Sequence, residues 1–237
     1  MGVPVSAQPK FVSQFLSGIA WLVSLWGLIH PRPYQLVMLM LAVLPWIALE
    51  AVRRSHGRLR LDTTRNNSHP NVAIVFLLPG LVLLFRSIID YNILQPSALA
   101  WFSIGAGCLL CVCTVAADPS MRANPGIAVV ILTFSIGYGY GVAAQTNVLL
   151  DRSPEASYTA AVQSKQVVRG RRIDSYQLNL GPWGPETAPN RLRVSRRIYD
   201  YIQAGDVVSL ALKRGALGAS WCFVRASERR NQAAVRP

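Results

Sequence analysis

Residues 71–89 read NVAIVFLLPGLVLLFRSII and contain one charged residue, Arg86. This length is close to the roughly 20 apolar residues that a helix needs to cross the core of a bilayer. Four more runs of the same kind occur on either side, at Phe11–Ile29, Tyr34–Val52, Ser97–Ala117 and Pro125–Ala144. Because backbone polar groups inside lipid must be satisfied within their own segment, the runs predict five transmembrane helices, forming a membrane all-α helical bundle over residues 11–150.

The composition agrees with this interpretation, since 51% of the residues are hydrophobic and 15% are charged. Such values are unusual for a soluble protein. The first apolar run is longer than the hydrophobic region of a secretory signal, carries Trp21 and Trp26, and ends without a small-residue cleavage site. We therefore expect it to be a retained helix.

Loop arginines predict the orientation of the bundle, because short cytoplasmic loops retain positive charge. The loop from Val52 to Pro70 contains five arginines. Placing it in the cytoplasm also places the N-terminal segment, residues 1–10, there. The odd number of spans then sends the C-terminal part to the periplasm or cell exterior. With 21 arginines against 3 lysines, the chain is typical of a GC-rich bacterium, and its expected location is the bacterial inner membrane.

After residue 150 the long apolar runs give way to short alternating ones. Tyr176, Leu178 and Leu180, for example, alternate with polar residues. Five such segments separated by glycine- and proline-containing turns predict a small antiparallel all-β barrel or sandwich domain over residues 151–226. A helical turn is expected at Ile198–Gln203, and residues 227–237 are predicted to be a disordered basic tail.

The predicted β domain and tail are strongly basic, with 15 lysines and arginines against 6 acidic residues from Arg152 onward. This charge favours anionic partners, although a merely solvated basic surface explains it as well. Membrane lipid headgroups are one candidate. Nucleic acid is disfavoured, because the predicted compartment is wrong and the basic residues are not interleaved with exposed aromatic ones.

Few residues are candidates for chemistry. Arg86 and Asp90 lie four apart near the end of the third run, so we expect a structural ion pair on one helical face. The cysteines at positions 108, 111 and 113 point in different directions on a helix, and no histidine occurs after residue 69. The sequence therefore predicts no metal site, no cofactor and no catalytic residues.

The region from about residue 137 to 224 resembles a family of uncharacterised bacterial multi-span inner-membrane proteins that carry a small C-terminal β domain. The resemblance implies a fold but no established activity. Its motif residues, mainly turn glycines and core aromatics, are Asn147, Asp151, Lys165, Tyr176, Trp183, Gly205, Asp206, Gly218 and Trp221.

Two functions follow from these observations as hypotheses. The first is a non-enzymatic inner-membrane scaffold whose helices present the basic β domain to protein partners, to another copy of the chain or to the membrane surface. The second is a small transporter or channel component, suggested by Pro45, Pro79, Arg86 and Asp90, because prolines and charges within spans are common in transporters.

Overall fold

The computed structural model describes residues 8–61, 70–118, 125–170 and 174–227. The described residues form two compact units. The first contains the chain up to Ile88 together with Leu99–Leu149, and the second contains Ile89–Ala98 together with the chain from Leu150 onward. The predicted tail lies outside the described residues except for Ser227, and residues 1–7 of the predicted N-terminal segment also lie outside them.

The first unit is built from long apolar helices, and within the described residues five of them are long and apolar enough to cross a membrane. Many of their large side chains point outward, and Trp101 is 82% exposed. Outward apolar side chains fit a lipid environment, because a soluble protein rarely exposes so much contiguous apolar surface. The prediction of five long apolar helices is confirmed, and their bounds are α1 (Gln8–Ile29), α2 (Tyr34–Arg54), α3 (Ala73–Asp90), α4 (Ala100–Ala117) and α5 (Pro125–Leu149).

Helices α4 and α5 approach each other at glycines. A Cβ atom at Gly139 of α5 would collide with the carbonyl oxygen of Ser103, and one at Gly107 of α4 would lie 2.7 Å from the carbonyl oxygen of Ser135. Helices in membranes gain stability from such close backbone contact. Gly141 in the same way lies against the backbone of α3 at Leu84. The glycines of the fifth run therefore serve helix contact within the chain.

A buried hydroxyl supports α2 near its internal proline. Pro45 cannot donate a backbone hydrogen bond, so the helix is weakened there. From α5, the Tyr138 hydroxyl donates to the carbonyl oxygen of Ala42 at 2.6 Å and accepts a hydrogen bond from the Trp46 indole at 2.9 Å. The neighbouring helix α5 therefore adds polar contacts to the part of α2 that contains Pro45.

The described ends of the α2–α3 connection bond to the end of α4 and to the start of α1. The Asp118 carboxylate, at the end of α4, accepts a hydrogen bond from the backbone N–H of Leu61 at 3.0 Å. The Ser13 hydroxyl in α1 donates to the carbonyl oxygen of Asn71 at 2.6 Å. One end of the bundle therefore contains the start of α1, the α2–α3 connection and the end of α4. This is expected, because two helices separate each of these parts from the next.

The second unit is a six-stranded, antiparallel, nearly closed barrel-like sheet with the strand order β1-β6-β5-β2-β3-β4. This confirms the predicted small antiparallel β fold, and of the two forms predicted, barrel or sandwich, the sheet has the barrel-like one. The short helix α6 was predicted two residues further along the chain. The elements are β1 (Asn92–Ile93), β2 (Ala156–Val168), β3 (Ser175–Leu180), β4 (Asn190–Val194), α6 (Arg196–Tyr201), β5 (Val207–Lys213) and β6 (Trp221–Ser227).

Strand β2 links the two halves of this sheet. Its first part, Ala156–Ala161, pairs with β5, and its second part, from Val162 to Val168, pairs with β3. The register shifts between Val162 and Ser164, and such a bulge bends a strand sharply. The bend lets one long strand curve around a core that includes Leu178, Leu180, Leu192, Val208 and Leu210.

Strand β1 comes from the connection between α3 and α4. Asn92 and Ile93 pair with Cys222 and Trp221 of β6, and Leu94 donates its backbone N–H to Ser220. The sequence analysis placed this segment in the transmembrane domain. Two helices, α4 and α5, separate β1 from β2 in the chain, so if both cross a membrane, both strands emerge on the same side.

Candidate functional site

Asp151, the first residue of the predicted β domain, joins the chain that leaves α5 to the β5–β6 hairpin. One carboxylate oxygen accepts the backbone N–H of Ser153 at 2.7 Å. The other accepts the indole N–H of Trp221 at 2.8 Å and the backbone N–H of Gly215 at 3.1 Å. The carboxylate therefore bonds to three donors, two of them more than sixty residues away in the chain.

These donors set the ionisation of Asp151. Partial burial by itself would raise its pKa, but the hydrogen bonds from Ser153, Trp221 and Gly215 outweigh burial and hold the pKa below its ordinary value. Hydrogen bonds to a carboxylate favour its charged form. Asp151 is therefore a charged structural acceptor at neutral pH, not a general acid.

Lys165 holds helix α6 against the sheet. Its ammonium donates to the carbonyl oxygen of Ile202, just after α6, and lies 4.3 Å from the centre of the Tyr199 ring. Tyr176 of β3 contacts the same ring, with the ring centres 5.1 Å apart. The cation and both rings thus form one cluster, in which Lys165 contributes through a hydrogen bond and a cation–π contact.

Asp206 and Gly205 form the turn before β5. The Asp206 carboxylate accepts the backbone N–H of Gln203 at 2.8 Å, and Gly205 has φ +89°, a conformation that favours glycine. The backbones of both residues also bond to Val162, where β2 is bulged. Asp206 is buried and supports this turn.

The aromatic motif residue Trp183 belongs to the core. Its side chain is buried, and its ring lies 5.9 Å from that of Tyr158. A Cβ atom at the next residue, Gly184, would lie 2.7 Å from the Tyr158 ring. Gly218, with φ +82°, closes the β5–β6 hairpin with a hydrogen bond to Gly215. These motif residues therefore build the domain.

Asn92 is a structural residue that the sequence analysis missed. Its backbone pairs with β6, while its side-chain amide bonds to Arg193 of β4, the opposite edge of the sheet. The amide nitrogen donates to the Arg193 carbonyl oxygen at 2.9 Å, and the amide oxygen accepts the Arg193 N–H at 2.9 Å. The Asn92 side chain thereby joins β1 to β4, the two edge strands of the sheet, and closes the barrel. A two-residue strand between apolar runs leaves no periodic signal.

A run of arginines in the second unit lies on β4 and the start of α6. We call residues 191–197 the basic segment, and its cations are Arg191, Arg193, Arg196 and Arg197. Arg191, Arg196 and Arg197 are exposed, while Arg193 donates to the Ser175 hydroxyl at 3.1 Å. Arg196 also makes an exposed ion pair with Asp200, and such pairs contribute little to stability.

The remaining candidates lie in or beside the first unit. Arg86 and Asp90 are in the last two turns of α3, four residues apart, as the expected ion pair requires, and that pair stays a prediction. The Arg86 guanidinium lies 6.0 Å from the Tyr34 ring centre, and the Gln145 amide donates to the Tyr34 hydroxyl at 3.2 Å. Asn147 is fully buried in α5.

Neither a metal centre nor a disulfide is found within the described residues. Among them, no group of three or more histidines, cysteines or acidic residues could hold a metal ion. All four cysteines are free thiols. Burial, with a smaller contribution from Glu186, raises the pKa of Cys222 to about 12. Only the thiolate is a good nucleophile, so this thiol is inert at neutral pH.

Comparison with known proteins returned nothing: no protein-family model matches the chain, and no curated protein or solved structure matches it significantly. The resemblance drawn from the motif residues therefore stays a prediction.

Proposed function

We propose that the chain is an integral membrane protein with a non-enzymatic role, in which the helices anchor the β unit and the basic segment of that unit binds an anionic partner. One observation carries the proposal. The polar motif residues Asp151, Lys165 and Asp206 each bond to backbone of their own unit, whereas Arg191, Arg196 and Arg197 of the basic segment are exposed.

The chemistry of arginine supports this role. A guanidinium binds carboxylates and phosphates through two parallel hydrogen bonds, and the basic segment has three exposed arginines within seven residues of sequence. The partner would be an acidic protein surface, another copy of the chain or anionic lipid. We keep the orientation that the loop arginines predict. In that orientation the β unit lies outside the cytoplasm.

The test is crosslinking of the tagged, full-length protein in its own membrane, followed by purification. In the test variant, Arg191→Glu with Arg197→Glu, we expect the crosslinked partner to be lost while the unfolding midpoint stays unchanged. The matched control is Arg152→Glu with Arg214→Glu, which makes the same charge change at exposed positions elsewhere in the β unit. A monomer with no partner and a measurable catalytic turnover would contradict the proposal.

Transport is the second candidate, supported by the polar side chains of Tyr34, Arg86 and Gln145 within the helical unit. Polar groups inside a bundle often mark a substrate path. Replacing Arg86 and Asp90 singly and exchanging their charges separates the two functions. A transporter would lose flux and remain folded, whereas a structural ion pair would make the single variants unstable and the exchanged pair partly stable.

A further inference from the structure

A cleft of about 420 Å³ lies between the start of α1 and the turn that follows α2, within the helical unit. Its apolar lining comes from Pro9, Val12, Ala51 and Leu59. Its polar lining consists of Arg54, Ser55, His56 and Arg58. The cleft therefore combines an apolar wall with a cationic rim.

The charge around this cleft is one-sided. Among the described residues 8–61 the single acidic residue is Glu50, and Asp118, which accepts the Leu61 N–H, is buried and does not line the cleft. Glu50 is held by Arg53 at 2.8 Å and by the Nε atom of Arg54 at 2.6 Å. The Arg54 side chain is nevertheless 78% exposed, so its terminal nitrogens are accessible to a second acceptor. One carboxylate cannot balance Arg53, Arg54 and Arg58 together, and the rim stays positive.

The turn that carries the rim is fixed by the fold. The Ser55 hydroxyl donates to the Val52 carbonyl oxygen and accepts the Leu59 N–H at 2.9 Å. His56 and Gly57 both have positive φ, which reverses the chain so that Arg54 and Arg58 both border the cleft. Leu59 is 4% exposed, so the turn is anchored in the core. A rigid site loses little conformational entropy when a ligand binds.

The position of the cleft decides between a soluble anion and a lipid. It lies where α1 begins and α2 ends, and Pro9, Val12, Ala51 and Leu59 form its apolar wall. Phe11 and Phe15, in the same part of α1, are 67% and 59% exposed. Exposed apolar side chains on a long apolar helix mark a surface that meets lipid. A phosphate held by the cationic rim would therefore have acyl chains along the apolar wall at Val12.

We propose that this cleft binds the phosphate headgroup of an anionic phospholipid, with Arg54, His56 and Arg58 around the phosphate and Pro9 and Val12 along the upper acyl chain. Cations at a membrane surface each contribute roughly 1 kcal/mol to binding anionic lipid. The site lies on the α2–α3 end of the helical unit and is independent of the function proposed for the β unit.

The experiment titrates the full-length protein in detergent with phosphatidylglycerol and counts bound lipids by native mass spectrometry. Arg54→Gln with Arg58→Gln should weaken the tightest binding step about 30-fold, since two cations are removed. Arg152→Gln with Arg214→Gln, which removes two exposed arginines of the β unit outside the basic segment, should leave that step unchanged. A photoactivatable phosphatidylglycerol should crosslink near Val12 and Leu59 in the wild-type protein.

Two further ligands separate the sources of phosphate. Phosphatidylcholine, which has no net charge, should bind weakly and equally to all variants, and millimolar inorganic phosphate should not displace the lipid. Displacement by inorganic phosphate would overturn the proposal in favour of a soluble-anion site. Equal phosphatidylglycerol binding by the wild-type protein and the Arg54→Gln, Arg58→Gln variant would overturn it as well.

Discussion

The helical unit and the β unit differ in where their elements find backbone hydrogen bonds: each helix forms them within its own segment, whereas each strand forms them with a neighbouring strand. In the helices, the buried hydroxyls of Ser103 and Thr114 bond to carbonyl oxygens four residues earlier. In the β unit, Asn92 bonds to backbone 101 residues away, and Asp151 bonds to Trp221, 70 residues away. Side chains reach far along the chain in both units, since Gln145 donates to Tyr34, 111 residues away, but in the β unit such a contact joins the two edges of the sheet.

This difference predicts where each unit is vulnerable. A helix that is satisfied within its own segment tolerates most surface changes and is sensitive where backbones touch. A nearly closed sheet is sensitive at the residues that join its edges, because unpaired strand edges expose backbone N–H and carbonyl groups. Three substitutions test this contrast, and they are given in order of decreasing effect.

The largest effect is expected at Asn92. Asn92→Leu removes both hydrogen bonds to the Arg193 backbone and leaves that N–H and carbonyl without their partner, which we expect to destabilise the β unit by about 2–4 kcal/mol. Cys222, the register partner of Asn92 and 1% exposed, reports the change. With Cys108, Cys111 and Cys113 replaced by alanine, a maleimide should label Cys222 much faster in the variant than in the parent.

Gln95, three residues further along the same connection, offers the control. It is exposed, so Gln95→Leu should leave the labelling of Cys222 slow. If Asn92→Leu left Cys222 as protected as the control does, the barrel would not need its closing residue, and the contrast between the two units would be lost.

The second effect is expected in the helical unit, at the contact between α4 and α5. Gly139→Ala forces a methyl group into the backbone of α4 at Ser103, so the helices must separate, at an expected cost of about 1–3 kcal/mol. Gly105→Ala on α4 meets no atom within 4 Å and is the matched control. The measurement is the unfolding midpoint in detergent, monitored by circular dichroism at helical wavelengths.

Equal midpoints for the Gly139→Ala and Gly105→Ala variants would show that close backbone contact does not limit the stability of the bundle. A lower midpoint for Gly139→Ala, together with unchanged protection of Cys222, would show that the two units lose structure separately.

The same contrast explains how much of the molecule could be predicted. The five apolar runs predicted α1 to α5 because membrane helices are defined by length and hydropathy, which are local properties. Strands β2 to β6 were likewise predicted from alternation and turn residues. Strand β1 was missed, because Asn92 and Ile93 follow an apolar helix directly and form a strand only through pairing with β6.

The sequence identified the motif residues but not their structural roles. Asp151, Lys165 and Asp206 stand out in the sequence as polar residues among glycines and aromatics, but spacing alone does not show that their partners are Trp221, Ile202 and Gln203. Those contacts depend on strand register and on the bulge in β2, which are properties of the folded sheet. The basic character of the domain, in contrast, was evident from composition.

The smallest of the three effects concerns Asp151 and depends on pH. Because its folded pKa lies below its unfolded value of about 3.9, its ionised form stabilises the β unit above that pH, and the contribution is lost as the pH falls through the lower folded pKa. Asp151→Asn should cost about 1–2 kcal/mol at pH 7, because an amide cannot accept the Trp221 and Gly215 hydrogen bonds as a carboxylate does.

The protein is unfolded with urea in detergent at several pH values between 7 and 3. Each sample is then returned to neutral pH for a brief pulse of labelling, and the labelled fraction of Cys222 reports how much of the β unit was unfolded. The stability difference between the wild-type protein and Asp151→Asn should shrink as the pH falls below about 4. Asp200→Asn, at an exposed ion pair, should change stability by less than about 0.5 kcal/mol at pH 7.

A difference for Asp151→Asn that stays constant down to pH 3 would mean that its charge is unimportant and that only the shape of the side chain holds the hairpin. The distant polar contacts of the β unit would then be matters of geometry, as the glycine contacts of the helices are.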